Sequence, residues 1–285
     1  SVWIDIPLDI SLARRILRDF THCSKIRHPL KGHVAEEVSS YLDYYLARHR
    51  DTYLRHIETI RPFVDLIVDG TNTPEEITDE ILSYINTRNH YDALIDEIND
   101  PVCDPVLLRE YMDKWDGEVF IEVLQFSPDK TVLEVGVGTG RLAVRICGKC
   151  ERFTGIDISP KTIERAKENL RGFNNVSLIC GNFLTYQFNE RFDIIYSSLT
   201  FMHIQNKRAA IQRAAILLNP GGRFVLSIDK NQQMEIDYAS GYGSRKIVVY
   251  PDTPEEITAL ITEAGLNIEK QFETEFALII TARKG

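Results

Sequence analysis

Residues 132–142 read VLEVGVGTGRL, an apolar run that breaks into Gly136-Val137-Gly138-Thr139-Gly140 before a helical pattern begins. Glycines there let the backbone turn tightly and let a ligand approach the main chain at a helix start. A dinucleotide fingerprint would be G-x-G-x-x-G, whereas this is G-x-G-x-G with an acidic residue, Glu134, inside the preceding run, so a nicotinamide dehydrogenase lacks its spacing. Alone, such a loop is equally well a tight strand-to-helix turn. Asp157 sharpens the reading: it closes the next apolar run, 17 residues beyond Gly140, where a carboxylate can accept hydrogen bonds from both hydroxyls of a ribose.

Two further groupings bear on metal or redox chemistry. Cys147 and Cys150 form a C-x-x-C pair, while Cys23, Cys103 and Cys180 are scattered. Half a zinc site or a redox pair is one reading of Cys147 and Cys150. Ordinary thiols near a helix end are the other, and no second C-x-x-C or nearby histidine completes a tetrahedron. Six of the seven histidines lie in the first 104 residues, including His22, His28 and His33 around Cys23, and His49 with His56. The last two stand two helical turns apart, too far to share one ion. No metal is expected.

The elements that must position these residues change character along the chain. Leu12, Ile16 and Phe20 share a helical face, and Val34, Val38, Leu42, Tyr45, Tyr53 and Ile57 continue a similar stripe toward a stop at Pro62. Thr73-Pro74-Glu75-Glu76 combines an N-cap, a first-turn proline and a capping glutamate, so a helix carrying Ile77, Ile81 and Ile85 begins there. Asp104-Pro105 opens another, expected to run through Leu108, Tyr111, Trp115 and Val119. An all-helical region over 1–104 is therefore expected, with a second domain over 105–285. After residue 130, TVLEV, RFTGID, VSLIC, FDIIYS and RFVLSI are strand candidates with helical segments between most of them, the mark of a parallel sheet covered on both faces. A late helix in PEEITALITEAG precedes NIEKQFETEF and ALIITARKG, two runs suited to a closing hairpin.

The glycine loop, Asp157, Gly181-Asn182-Phe183 after the third strand and Pro220-Gly221-Gly222 before the fifth follow in an order that resembles the class I S-adenosylmethionine-dependent methyltransferases, from the helix near Leu108 to Gly285. The resemblance implies an α/β, Rossmann-like sheet of seven strands in the order 3-2-1-4-5-7-6, strand 7 antiparallel, with helices on both faces and the cofactor over the carboxyl ends of the strands. It further implies that Gly136, Gly138, Thr139 and Gly140 line the methionine part of S-adenosylmethionine with Glu134 beneath, and that Asp157 holds the ribose. Ile158 would pack on the adenine, Asn182 would take its amino group in place of the more usual Asp, Phe183 would pack nearby, and Ser198 and Leu199 would border the methionine. The spent product would be S-adenosylhomocysteine. His203, just after the fourth strand, stands where many small-molecule members carry a pocket histidine able to accept a proton; a helix-start residue packing locally is the other reading. Tyr111 and Trp115 either cover the cofactor or pack their own helix. Residues 231–252, with Tyr238, Tyr242 and Arg245, form either a substrate wall or an extra hairpin.

Composition narrows the class. The chain has 285 residues, 33 Lys+Arg against 42 Asp+Glu and 44% apolar residues, which fits an ordinary globular protein and excludes disorder or a disulfide scaffold. Residues 1–115 hold 13 basic and 21 acidic side chains and the rest 20 and 21, so the excess of negative charge is N-terminal and nucleic acid is disfavoured as a partner. No apolar run reaches the ~18 residues that cross a bilayer, and the start lacks the features of a signal peptide, so a cytoplasmic protein trimmed before Ser1 is expected. The expected activity is in-line methyl transfer from S-adenosylmethionine to an oxygen, nitrogen or carbon of a small-molecule acceptor. A protein or RNA methyltransferase and a cofactor-binding regulator without transfer are the alternatives; monomer and homodimer are equally open.

Overall fold

Alternation of short apolar runs with amphipathic segments builds a seven-stranded sheet, and the pairing order is legible strand by strand. The computed structural model describes residues 1–20, 34–230, 235–240 and 243–285, the side chains at 19, 20, 34, 35, 37, 235–240 and 243 excepted. It divides into two units, Ser1–Leu82 and Ser83–Gly285.

In the second unit β3 (Thr131–Val135), β4 (Arg152–Asp157), β5 (Val176–Cys180), β6 (Phe192–Ser197) and β7 (Leu218–Asp229) run parallel. β10 (Leu266–Glu273) and β11 (Ala277–Lys284) close the edge as the expected hairpin, with β11 antiparallel to both β10 and β7. The order β10-β11-β7-β6-β3-β4-β5 is the expected 3-2-1-4-5-7-6 read from the other edge. Parallel strands need crossovers, and α7 (Ala143–Ile146), α8 (Pro160–Asn169) and α9 (Lys207–Leu217) supply three of them. Pro220-Gly221-Gly222 appears as an irregularity within β7: Leu218 pairs with Phe192 and Arg223 with Ile194, so the residues between them bulge from the ladder.

Both faces of the sheet are buried, which is why its strands read as apolar runs with little alternation. Leu133, Ile195, Phe224 and Ile280 pack with Ala210, Ile211 and Ala214 of α9 and with Ile257 and Ile261 of α10 (Pro254–Glu263). Their neighbours in sequence, Val132, Ile194, Val225 and Ile279, pack on the opposite side with Phe120, Ile121 and Leu124 of α6 (Gly117–Leu124) and with Ile146 and Ile163.

Two expectations are corrected. The N-terminal region is not all helical: besides α1 (Leu8–Phe20), α2 (Val34–Tyr44) and α3 (Arg50–Ile60), it contains β1 (Val2–Asp5) and β2 (Leu66–Asp69), a parallel pair. Four-residue runs are too short for a period of two to show, and their partners lie far apart in sequence. The helix expected from Asp104-Pro105 through Val119 is also two helices, α5 (Val106–Met112) and α6. Asp116 and Gly117 break it: Gly117 takes φ +59, and the Asp116 carboxylate caps α6 by accepting from the Gly117 N–H at 2.7 Å. The capping box at Thr73 forms as read, with the Thr73 N–H donating to Glu76 at 2.8 Å and the Glu76 N–H to the Thr73 hydroxyl at 3.2 Å, and opens α4 (Pro74–Asp96). Residues 83–96 of that helix belong to the same unit as the sheet. The 231–252 segment contains an antiparallel hairpin of β8 (Glu235–Ser240) and β9 (Gly243–Val248). No helix among the described residues is long and apolar enough to cross a membrane.

Candidate active site

The glycine loop leaves β3 with Gly136 at φ +79, Gly138 at φ +55 and Gly140 at φ +98, a left-handed path that side chains disfavour. Gly136 is also fixed by space, because a Cβ there would meet Thr200 Oγ1 at 1.9 Å, whereas at Gly138 nothing lies within 4 Å of the Cβ position. Thr139 beside it is 6% exposed, and its hydroxyl has no hydrogen-bond partner. At the end of β4 the Asp157 carboxylate accepts from the Gly138 N–H at 3.1 Å and the Ser159 N–H at 2.9 Å. Burial nevertheless raises its pKa to about 6, outweighing those backbone donors, and the nearby Asp92 charge adds to the rise.

Beneath the loop, Glu134 is buried and accepts the Tyr196 hydroxyl at 2.7 Å; desolvation pushes its pKa up to about 8 against the pull of that bond and of Arg141. Arg141, the first residue past the glycines, forms a bidentate pair with the fully buried Asp116 carboxylate. Asp116 also accepts the Ser198 hydroxyl at 2.7 Å, which ties the start of α6 to the residues after β6. Leu199 follows with φ +56, an unusual conformation for a leucine and one that clusters where ligands are held.

The second half of α4 supplies one wall. Asp92 accepts the Ser159 hydroxyl at 2.7 Å and the Lys161 N–H at 3.2 Å. Tyr91 Oη lies 2.8 Å from His203 Nε2, on the 3-10 turn Phe201–His203. Burial and the Asp157 charge hold the Tyr91 phenol well above its ordinary pKa. His203 is lowered to about 4 by burial and then by the neighbouring His90 and Lys207, with the Val248 backbone opposing. His90 is buried and also lowered to about 4, mainly by desolvation, then by Arg245. Arg245 on β9 donates from Nε to His90 Nδ1 at 2.7 Å, and its guanidinium pairs with both oxygens of Glu97.

Residues 126–263 match the family described as a methyltransferase domain. Residues 126–263 are therefore a class I S-adenosylmethionine-dependent methyltransferase domain. Among similar proteins, one named an uncharacterized methyltransferase from Anoxybacillus flavithermus is 35% identical over 123 residues, 42% of this chain and 57% of that protein. A malonyl-[acyl-carrier protein] O-methyltransferase 2 from Ilyobacter polytropus is 32% identical over 98 residues, 34% of this chain and 38% of its own length. The chain thus spans less than two thirds of these relatives. A solved structure of a DhpI–SAH complex shares the fold, with a TM-score of 0.58 at 19% identity over 71% of this chain and 97% of that one.

The cofactor of this methyltransferase domain is S-adenosylmethionine. The residues present fit it: the open side of Gly138 leaves room for a ligand, and the buried Thr139 hydroxyl lacks a partner. Gly136, Gly138, Thr139, Gly140 and Asp157 come together at the carboxyl ends of β3 and β4, with Ile158 half-buried next to Asp157. Asn182 follows β5; its Oδ1 accepts the Leu184 N–H at 2.9 Å and keeps a second lone pair. Phe183 turns into the core at 4% exposure, against Phe188 and under the Arg213 guanidinium. Tyr111 and Trp115 stack edge to face with each other and against Phe276, and the Trp115 indole N–H donates to Asp229 at 3.2 Å. Both therefore pack against the turn between β10 and β11, Trp115 also at the end of β7. Tyr238 pairs through its backbone with Arg245; its side chain lies outside the described residues, as do Tyr242, His22, Cys23, His28 and His33. Cys147 and Cys150 are buried thiols, with burial raising both pKa values and Cys150 reaching about 11.

Sequence reasoning missed Tyr91, His90, Asp116 and Arg141. The signal at α4 was a helix whose buried positions are Thr87 and His90, polar where an aliphatic residue would be ordinary. Arg141 was visible only as the cation directly after the loop, and Asp116 as the acidic residue before a glycine.

Proposed function

We propose that this chain transfers the methyl group of S-adenosylmethionine to a neutral amine or hydroxyl of a small molecule, presented by Tyr91 and His203. The observation that carries the reading is the 2.8 Å Tyr91–His203 hydrogen bond in the field of Asp157. In this proposal Gly136, Gly138, Thr139, Gly140, Ser198 and Leu199 surround the methionine part, Asp157 accepts the ribose hydroxyls, Ile158 packs on the adenine, and Asn182 offers its remaining amide lone pair to the adenine amino group. The cofactor supplies a methyl carbon made electrophilic by its sulfonium, so the protein has to hold a nucleophile in line and exclude water.

His203, lowered to about 4, is neutral at physiological pH, and in this proposal Nε2 is its unprotonated ring nitrogen and accepts the Tyr91 hydroxyl 2.8 Å away. The Tyr91 oxygen keeps lone pairs for an N–H or O–H of the acceptor, which turns the acceptor's own lone pair toward the methyl. As the bond to carbon forms, the acceptor proton grows acidic and passes to Tyr91 while the Tyr91 proton moves to His203 Nε2. A carboxylate acceptor would want an uncompensated cation. Lys207, which acts on His203, is ion-paired with Asp252 at 3.2 Å, and Arg245 with Glu97. The net charge of -9 and the described thiols, all unbridged, suit a cytoplasmic enzyme for small molecules better than one for nucleic acid. The N-terminal region enters this proposal only through residues 83–104.

The test is methyl transfer from S-adenosylmethionine to a panel of small amines and phenols, with a malonyl thioester as the carboxylate control. Tyr91→Phe and His203→Gln should each lower kcat about a hundredfold or more while S-adenosylhomocysteine affinity stays unchanged. Preferred methylation of the malonyl carboxylate, undiminished in Tyr91→Phe, would overturn the reading.

A further inference from the structure

Adjoining the Tyr91–His203 pair is a second set of groups that the transfer itself does not use: His90, Arg245 and Glu97. Arg245 reaches His90 through Nε, which always carries its proton and can only donate. At 2.7 Å the His90 Nδ1 must therefore be the acceptor and unprotonated, leaving the ring proton on Nε2. Adding a proton at Nδ1 would set two N–H groups and two positive charges against each other. Glu97, 8% exposed at the end of α4, holds the guanidinium by both oxygens, so Arg245 cannot turn its Nε away without breaking an ion pair that spans α4 and β9.

The geometry points to Arg245, clamped by Glu97, as a positioning residue that fixes His90 in its neutral Nε2-protonated form and so keeps a positive charge away from Tyr91 and His203. His90 and Tyr91 are consecutive, with rings 5.1 Å apart, and Tyr91 and His203 rings are 5.5 Å apart, so the three form one ladder. A cation at His90 would stand next to the hydroxyl that has to accept a proton from the acceptor. The charged and titratable groups facing His90 include Arg245 on β9, Glu97 closing α4, Tyr91 on α4 itself and His203 on the 3-10 turn, with Lys207 and its partner Asp252 behind His203. Of these, Glu97 is the group that favours a charged His90, and Arg245 stands between the two. The low pKa of His90 agrees with this arrangement, burial contributing most of it.

The inference rests on the reading that Tyr91 and His203 face the acceptor, and its test separates the two. Two-bond proton–nitrogen spectra of the full chain, with His90 and His203 assigned through His90→Gln and His203→Gln, report each tautomer without any need for turnover. Wild type should show His90 unprotonated at Nδ1 and not titrating between pH 5 and 8. In Arg245→Gln the His90 resonances should titrate within that range, a rise of about one unit or more. The acid limb of kcat should rise with them and fall back in Arg245→Gln/His90→Gln. A His90 that carries its proton on Nδ1 in wild type overturns the inference, and that measurement needs no variant that might misfold. An unchanged His90 titration in a folded Arg245→Gln overturns it as well. Movement of the His90 titration with no movement of the kcat profile would instead sink the role of Tyr91 and His203 while leaving the tautomer assignment standing.

Discussion

Asp157 is placed where function and stability pull in opposite directions, and Asp157→Asn measures both. Burial raises its pKa from 3.8 to about 6, so the folded protein holds this proton more tightly than the unfolded chain does. The sign follows: between those two values the native state binds more protons, and stability contributed by the protonated form is lost as pH rises through that window, then stays lost above it. A shift of about two units corresponds to about 3 kcal/mol, an upper figure for a half-buried carboxyl. Asparagine mimics the protonated form and keeps one oxygen for the Ser159 N–H, while the Gly138 N–H, which donates to the other carboxylate oxygen, loses its acceptor and offsets part of the gain. Free of cofactor, the variant should be more stable than wild type at pH 8 by up to about 3 kcal/mol, and the difference should shrink by about 1.4 kcal/mol on going to pH 5. Urea unfolding of both proteins at each pH, taken as a difference so that all other titrations cancel, is the assay. Calorimetric titration with S-adenosylhomocysteine supplies the other half: wild-type affinity should fall about tenfold from pH 8 to pH 5 as the carboxylate protonates, and the variant should bind weakly with no such dependence. A variant less stable than wild type at pH 8, or a stability difference that does not change with pH, would refute the reasoning.

Other outcomes can be checked with the same two assays. Gly138→Ala should cost only about 1–2 kcal/mol, since the Cβ meets no atom and only the positive φ is strained, yet it should abolish S-adenosylhomocysteine binding by filling the space beside the loop. Gly136→Ala, whose Cβ would overlap the Thr200 side chain, should destabilise by clearly more than Gly138→Ala. Asp116→Ala leaves the largely buried Arg141 guanidinium with only its 3.9 Å contact to Asp113 among the described residues and should cost about 3 kcal/mol, with Asp116→Ala/Arg141→Met recovering part of the loss.

Much of the sheet could be read along the chain because its inner strands are largely apolar runs bounded by turn residues, and burial on both faces makes such runs conspicuous. The same holds for the cofactor end: glycines at 136, 138 and 140 announce a backbone conformation, and Asp157 ends the adjoining strand, so the two are brought together by one β-α-β crossover. The capping residue Thr73 announced a helix start for the same local reason, and in the structure Ser159 and Thr253 cap α8 and α10 in the same way. Short strands such as Val2–Asp5 could not be read, because what makes them strands is a partner about sixty residues away.

The sequence by itself determined which residues would make strands, where the backbone must turn through glycine, and that a carboxylate would close β4. Tertiary structure alone decided what faces those residues. It set Tyr91 against His203, 112 positions along the chain, and Arg245 against His90 at a separation of 155. It turned Phe183 into the core and Trp115 toward Asp229. Local patterns follow from rotation per residue and backbone sterics, which act over a few positions. A pair across the site depends on how helices and hairpins pack on the sheet, and no spacing in the chain encodes that distance.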